Sequence, residues 1–237
     1  MLGDWENAGR EDTDMNTCDE ILRDLNDENW RIRSEAVARI GRIRHPEEIL
    51  KLIARIRHQK WYIREAVAHG LGGHPHPAAG VALERSLYEH RWFIREAVSA
   101  LTRAGRRLPV APLAAAIGDD DPSIRAMAAA GLGMAGGHDA VVALAGALSD
   151  PDTAVRVRAA QALGATGDIE GMDALIRALK DPEPEIRSAA AHALGILGCA
   201  DACTPLREAL ADENRRVRRA CEIAMDNLRH ATKHHQP

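Results

Sequence analysis

The chain has 237 residues, of which 46% are hydrophobic and 28% are charged, and its formal net charge is −4. This composition is typical of a folded protein and argues against intrinsic disorder, and the acidic balance argues against a nucleic-acid-binding protein with a basic face. Only 3% of the residues are aromatic, so Ala, Leu, Val and Ile must form most of the core.

The first 16 residues are acidic and polar, and they lack the apolar core of a signal peptide. We therefore expect residues 1–16 to form a disordered acidic tail. The four cysteines are too few and too scattered for a disulfide framework. Apolar runs such as residues 140–148 are about half as long as a membrane-spanning helix. These features predict a cytoplasmic protein with reduced thiols and no membrane segment.

Residues 17–229 contain seven copies of a motif that repeats about every 31 residues. Each copy places an arginine after Ile or Val, and the steps between these arginines are 31, 31, 30, 31, 31 and 31 residues. The arginines are Arg33, Arg64, Arg95, Arg125, Arg156, Arg187 and Arg218. Such regular spacing predicts a repeat protein. Beyond the last copy, residues 230–237 are expected to form a flexible C-terminal tail.

Each copy is predicted to form an antiparallel helical hairpin. In the fifth copy, GHDAVVALAGALSD has apolar residues at helical spacing, and a second helix is expected after Asp150 and Pro151, which are residue types that start helices. Gly164 and Gly167 are predicted to close this second helix, since glycine tolerates the left-handed cap conformation. A single hairpin cannot bury its apolar face, so the hairpins must stack on their neighbours.

The repeated pattern D-x-x-x-x-[VI]-R-x-x-A-x-x-A-L-G-x-x-G resembles the short HEAT-like repeats named after phycobilisome lyases. The sixth copy fits it at Asp181, Ile186, Arg187, Ala190, Ala193, Leu194, Gly195 and Gly198. The resemblance implies an all-α fold, a right-handed α-solenoid of about seven HEAT-like helical hairpins. It also implies that the second helices line the concave side.

An acidic residue or a histidine stands six residues before each arginine: Asp27, His58, Glu89, Asp119, Asp150, Asp181 and Asp212. These charges could form a row of ligand-binding groups. Alternatively, each arginine binds carboxylates or carbonyls in the turns between helices, in its own copy or in a neighbouring one. Because a residue present in every copy serves what every copy shares, we favour the second, structural interpretation.

Five of the seven aromatic residues occupy equivalent positions in the first three copies, three and two residues before the arginine. They are Trp30, Trp61, Tyr62, Trp92 and Phe93, and Arg31 takes the remaining position. The core positions lie on another helix face, so we expect an exposed apolar strip ~20–30 Å long across three packed helices. Exposed aromatic and arginine side chains are typical of binding hot spots. The alternative is that the rings only stack on one another and bind no partner.

Three polar residues continue the same helix face below the aromatic positions. Glu65 and Glu96 lie one turn below Trp61 and Trp92, and His69 lies one turn further along. They are expected at the rim of the aromatic strip, where they would contact a partner, or else they are simply solvated.

No catalytic residue, metal site or cofactor is predicted. The HEAT-like enzyme deoxyhypusine hydroxylase resembles this fold and uses His-Glu pairs for two irons, but this chain contains no His-Glu dipeptide. Cys203 and Cys221 fall at apolar positions of the repeat, where a free cysteine behaves as a small hydrophobic residue. Phosphate-loop and nucleophile-elbow motifs do not occur in the sequence.

The sequence favours a noncatalytic scaffold or adaptor that binds a protein partner on the concave face of repeats 1–3. Bilin lyases contain the same repeat type, so a lyase-type or chromophore-handling subunit is one alternative, although no catalytic residue can be matched. A second alternative is a nucleic-acid-binding solenoid, as in some HEAT-like glycosylases, against which the acidic balance argues.

Overall fold

The computed structural model describes residues 18–73 and 77–233, in which fourteen α-helices are joined by turns and short 3-10 segments, without a β-strand in those ranges. The predicted all-α class is confirmed. By its internal contacts the chain divides into two compact units, Met1–Arg107 and Leu108–Pro237. Unit 1 contains the first three repeats and unit 2 the last four. The predicted tail at residues 1–16 lies outside the described residues.

Unit 1 contains six helices, and the second helix of each repeat packs beside that of the next. The helices are α1 (18–25), α2 (Trp30–Ile40), α3 (Pro46–Arg55), α4 (Trp61–Gly72), α5 (Pro77–Glu89) and α6 (Ile94–Arg103). Helix α4 packs between α2 and α6, and α3 packs against α5. Fully buried isoleucine and leucine side chains, such as Ile40, Ile53, Ile63 and Leu83, fill the space between them.

Unit 2 repeats the same arrangement four times with smaller side chains. Its helices are α7 (Val110–Ala116), α8 (Pro122–Ala135), α9 (His138–Ala147), α10 (Thr153–Thr166), α11 (Met172–Ala178), α12 (Pro184–Leu197), α13 (Cys203–Ala209) and α14 (Arg215–Lys233). The second helices α8, α10, α12 and α14 pack in sequence order. Helix α14 continues past the boundary predicted at residue 229, because residues 230–233 contain neither Gly nor Pro.

The helix ends follow local sequence signals. Asp152 caps α10 by accepting hydrogen bonds from the backbone N–H groups of Ala154 and Val155. Gly167 then ends α10 with φ of 69°, in the left-handed region. The same role predicted for Gly164 is wrong, since Gly164 lies inside α10, where it faces α12.

Glycines at one position of the second helix set the spacing between repeats in unit 2. A Cβ atom added to Gly164 would lie 2.8 Å from Cα and 2.9 Å from Cβ of Ala193 on α12. Gly133 and Gly195 meet Ala162 and Ala224 in the same way, at 2.8 and 2.7 Å. Any larger side chain would overlap the neighbouring backbone, so glycine permits the close approach of successive helices.

The repeated arginines join successive turns in unit 2, as the structural interpretation predicted. Nη1 of Arg187 donates to the carbonyls of Asp181 and Pro182, while Nε and Nη2 donate to the Asp212 carboxylate of the next repeat, at 2.7 and 2.9 Å. Arg125 forms the same contacts with its own turn and with Asp150. We call the pairs Arg125–Asp150, Arg156–Asp181 and Arg187–Asp212 the arginine–aspartate ladder.

Unit 1 lacks this ladder. Arg33 donates to the carbonyls of its own turn, but His58 stands where the next aspartate would be. Glu89, at the following equivalent position, instead accepts a hydrogen bond from Arg85. Nε of Arg64 is buried without a hydrogen-bond partner among the described residues. The hairpins of unit 1 are joined by apolar packing and by ion pairs between their first helices, Arg55–Asp19 and Arg85–Glu47.

Candidate functional site

Two tryptophans at the start of neighbouring helices are exposed. Trp30 begins α2 and Trp61 begins α4, and 65% and 63% of their surfaces are accessible. Because α2 and α4 pack side by side, both indoles lie at the same end of the helix pair. The exposure predicted for these two residues is confirmed.

Cations border these rings. The guanidinium carbon of Arg31 lies 5.7 Å from the centroid of the Trp30 ring, and Nζ of Lys60 lies 5.7 Å from that of Tyr62. Tyr62 is partly buried and meets Trp61 nearly edge to face, with centroids 6.2 Å apart. Both distances suit a cation–π interaction, which holds each cation at the edge of the apolar surface.

The third repeat departs from the predicted strip. Phe93 is fully buried and Trp92 is partly buried against it, with ring centroids 5.5 Å apart. The exposure predicted for Phe93 is therefore wrong. A 3-10 turn at Arg91–Phe93 precedes α6, which begins at Ile94. This turn rotates Phe93 into the core, whereas Tyr62 at the equivalent position belongs to the first turn of α4.

A groove of about 300 Å³ lies between α4 and α6 and brings together three predicted residues and two charged residues that were not predicted. It is lined by Trp61, Glu65, Ala68, Arg95, Glu96, Ser99 and Arg103. Glu65 is exposed, as expected for a rim residue. Glu96 is only 6% exposed and accepts a hydrogen bond from Nη2 of Arg95 at 3.0 Å, so its predicted rim position is wrong. His69 is exposed on α4 but does not line the groove.

Arg95 and Arg103 are the groove residues that sequence reasoning missed. Since α6 begins late, Arg95 is its second residue rather than its fourth, and its side chain is 61% exposed. Nη2 of Arg103 donates to the carbonyl of Ala68 on α4 at 3.1 Å. The sequence did mark Arg103 as unusual, because the equivalent positions in unit 2 hold Gly133, Gly164 and Gly195. We use the term tryptophan surface for this groove together with Trp30, Arg31, Lys60, Trp61 and Tyr62.

The cysteines behave as apolar residues. Cys221 is fully buried, and burial raises the pKa of its thiol to about 11, so it stays protonated at neutral pH. Among the residues that the structure describes, no three or more His, Cys, Asp or Glu side chains converge as metal ligands would. Within the same ranges, no helix has the length and apolar character required to span a membrane.

Comparison with known proteins identifies the repeat. The HEAT-repeat family model matches residues 19–102, 89–151 and 142–226. Among solved structures, Escherichia coli YibA is 15% identical, with a TM-score of 0.54 over 91% of this chain and 82% of that chain. Human deoxyhypusine hydroxylase in complex with glycerol is 21% identical, with a TM-score of 0.49 over 94% and 99% of the two chains.

A designed armadillo repeat protein in complex with the peptide (KR)4 is 14% identical, with a TM-score of 0.46 over 88% of this chain and 98% of that chain. At these identities the likeness to solved structures concerns the fold alone. No curated protein is significantly similar to the chain in sequence. The family matches span both units and nearly all of the described residues, and on this basis the chain belongs to the HEAT-repeat family.

Proposed function

We propose that the chain is a noncatalytic scaffold that binds a protein partner through the tryptophan surface of unit 1. The observation that carries this proposal is the exposure of Trp30 and Trp61, the two large indoles that begin adjacent helices. Covering the exposed part of each ring would contribute about 3–4 kcal/mol. Side chains of this type dominate the energetics of most protein interfaces.

The repeat fold does not itself require aromatic residues at these positions. In unit 2 the equivalent positions hold Pro122, Thr153 and Pro184, and those helices still pack in order. Across the described part of unit 1, the ring contacts of the tryptophans stay within one repeat, as between Trp61 and Tyr62. A continuous stack of rings would instead join successive repeats, so the contacts favour the binding interpretation.

The groove beside Trp61 adds polar groups that could fix the orientation of a partner. Glu65 and Arg95 are exposed along its length, while Arg103 is held by the Ala68 carbonyl. An apolar anchor next to a few directed charges is the usual composition of a protein interface. The groove is at the lower end of the volumes of small-molecule sites and is lined mainly by charged residues, so a helix or an extended peptide is the better fit.

The proposal is tested by comparing partner capture between surface variants of the full chain. The Trp30→Ala/Trp61→Ala variant should lose the partner that the unmodified chain captures from host lysate. Its helicity and thermal midpoint should stay nearly unchanged, because both side chains are exposed. The matched control is Tyr88→Ala/Ile196→Ala, which removes two side chains that are 60% and 65% exposed elsewhere. Equal capture by both double variants would contradict the proposal.

A further inference from the structure

The net charge of −4 conceals opposite charges on residues 18–107 of unit 1 and on unit 2. Residues 18–107 hold seventeen Lys and Arg against twelve Asp and Glu, a net charge of +5. Residues 108–237 hold thirteen against eighteen, a net charge of −5. The tryptophan surface therefore belongs to the cationic part of unit 1, and long-range attraction favours an anionic partner for it.

The local charges agree with this sign. Arg31 and Lys60 lie beside exposed rings, and neither has a carboxylate partner within residues 18–73 and 77–233. Arg103 is bound to a neutral carbonyl and keeps its full charge in the groove. Of the two groove carboxylates, Glu96 is neutralised by Arg95. Within the groove, only Glu65 opposes an incoming anion.

The chain itself contains a segment whose negative charge is complementary to the tryptophan surface. Residues 1–17 hold Asp4, Glu6, Glu11, Asp12 and Asp14 against the single cation Arg10, a net charge of −4. Trp5 supplies an apolar ring next to these carboxylates. We propose that residues 1–17 bind to the tryptophan surface of unit 1 as its acidic occupant, an inference that rests on the function proposed for that surface.

The length of the segment permits this contact within one molecule. The segment leads into α1, whose described part starts at residue 18 and is joined to α2 by ion pairs between Arg39 and the carboxylates of Glu20 and Asp24. Helix α2 is about 16 Å long, and three packed helices span ~20–30 Å. Seventeen extended residues reach at most about 60 Å, which exceeds the path along α2 and across the surface.

An acidic peptide fits the surface better than single-stranded nucleic acid does. Glu65 is exposed in the groove, and it would repel a continuous phosphate backbone that carries one charge per nucleotide. A peptide can place its carboxylates near Arg31 and Lys60 and an uncharged residue near Glu65. A partner protein must then displace residues 1–17, so the segment acts as a competitor for the binding surface.

The test uses the full chain and the indole N–H signals of its four tryptophans in nuclear magnetic resonance spectra. One variant replaces the five acidic residues of the segment: Asp4→Asn, Glu6→Gln, Glu11→Gln, Asp12→Asn and Asp14→Asn. This change should move the Trp30 and Trp61 signals. The matched control neutralises five exposed acidic residues of unit 2: Asp120→Asn, Asp139→Asn, Glu185→Gln, Asp201→Asn and Glu208→Gln. It should leave both signals in place.

A synthetic peptide of residues 1–17 is then titrated into the variant with the neutral segment. It should restore the original signal positions, and a peptide lacking the five carboxylates should bind at least about tenfold more weakly. Unmoved Trp30 and Trp61 signals, or equal binding of the two peptides, would overturn the inference. Tighter binding of an oligothymidine strand at the same signals would overturn it in favour of nucleic acid. Partner capture by the Trp30 and Trp61 variants tests the proposed function separately.

Discussion

Replacing Gly164 with Ala should destabilise unit 2, although alanine is the better helix former. In an unobstructed helix the exchange would stabilise the fold by about 1 kcal/mol. At Gly164, however, the new methyl group would lie 2.8 Å from Cα and 2.9 Å from Cβ of Ala193. Ordinary carbon contacts are ~3.5–4.0 Å, so α10 and α12 must separate by about 1 Å. Overpacking of this kind costs ~1–3 kcal/mol, and we place this case at the upper end because backbone is involved.

The net expectation is a loss of about 2 kcal/mol in the free energy of unfolding. The matched control is Gly146→Ala in α9, where the added Cβ meets no atom within 4 Å. That variant should be as stable as the unmodified chain or more stable by up to about 1 kcal/mol. Urea unfolding of the full chain, followed by far-ultraviolet circular dichroism, measures both. If Gly164→Ala is as stable as Gly146→Ala, glycine does not set the distance between α10 and α12.

Three further predictions concern the stability of each unit. Asp212→Asn removes the carboxylate charge that accepts two of the four hydrogen bonds of the Arg187 guanidinium, and it should lower the free energy of unfolding by about 1.5–3 kcal/mol; Asp120→Asn, an exposed change, should have almost no effect in the same urea experiment. The Arg187 hydrogen bond lowers the pKa of Asp212 below its ordinary value of 3.8. The stabilisation that ionised Asp212 contributes is therefore present above about pH 4 and is lost on further acidification. The reason is that the carboxyl group takes up its proton at a higher pH in the unfolded chain than in the folded one. If the free energy of unfolding falls equally on acidification in the unmodified chain and in Asp212→Asn, this assignment is wrong. Phe93→Ala should cost ~3–5 kcal/mol because the ring is fully buried, whereas Tyr88→Ala should cost less than about 0.5 kcal/mol in the same measurement.

The fold was predicted well from the sequence because the same helix-start, helix-end and turn-binding residues occur in successive repeats. The Asp-Pro starts, the terminal glycines and the arginine spacing recur, and each depends on contacts inside one hairpin or with the next one. Gly164 shows the limit of this reasoning. Its residue type suggested a helix end, but its role depends on the distance to Ala193, which is 29 positions away and not encoded locally.

The candidate site was predicted only in part, and the third repeat explains why. Periodicity placed Phe93 and Glu96 by analogy with Tyr62 and Glu65, which assumes that each second helix begins at the same residue. The 3-10 turn before α6 breaks that assumption and rotates the first turn. Both side chains consequently become buried, while Arg95 enters the groove, so one local change in backbone geometry altered three predictions together.

The uneven charge of the units was hidden for a different reason. Whole-chain net charge adds the acidic unit 2 and the acidic residues 1–17 to the cationic residues 18–107, and the sum is close to neutral. The opposite signs become visible only when residues 1–17 are counted separately and the boundary at Arg107 is known. Arguments about partners from total charge are therefore weak for proteins built of dissimilar parts.

The arginine–aspartate ladder has a consequence for how such proteins lengthen. Arg125, Arg156 and Arg187 each have their carboxylate 25 positions ahead, in the following turn. A tandem copy of a 31-residue block therefore carries both halves of a junction, and gene duplication within this stretch would create no orphaned charge. The same event in the first three repeats would join arginines to His58 or Glu89. Addition and loss of repeats are thus tolerated within unit 2 and resisted within unit 1.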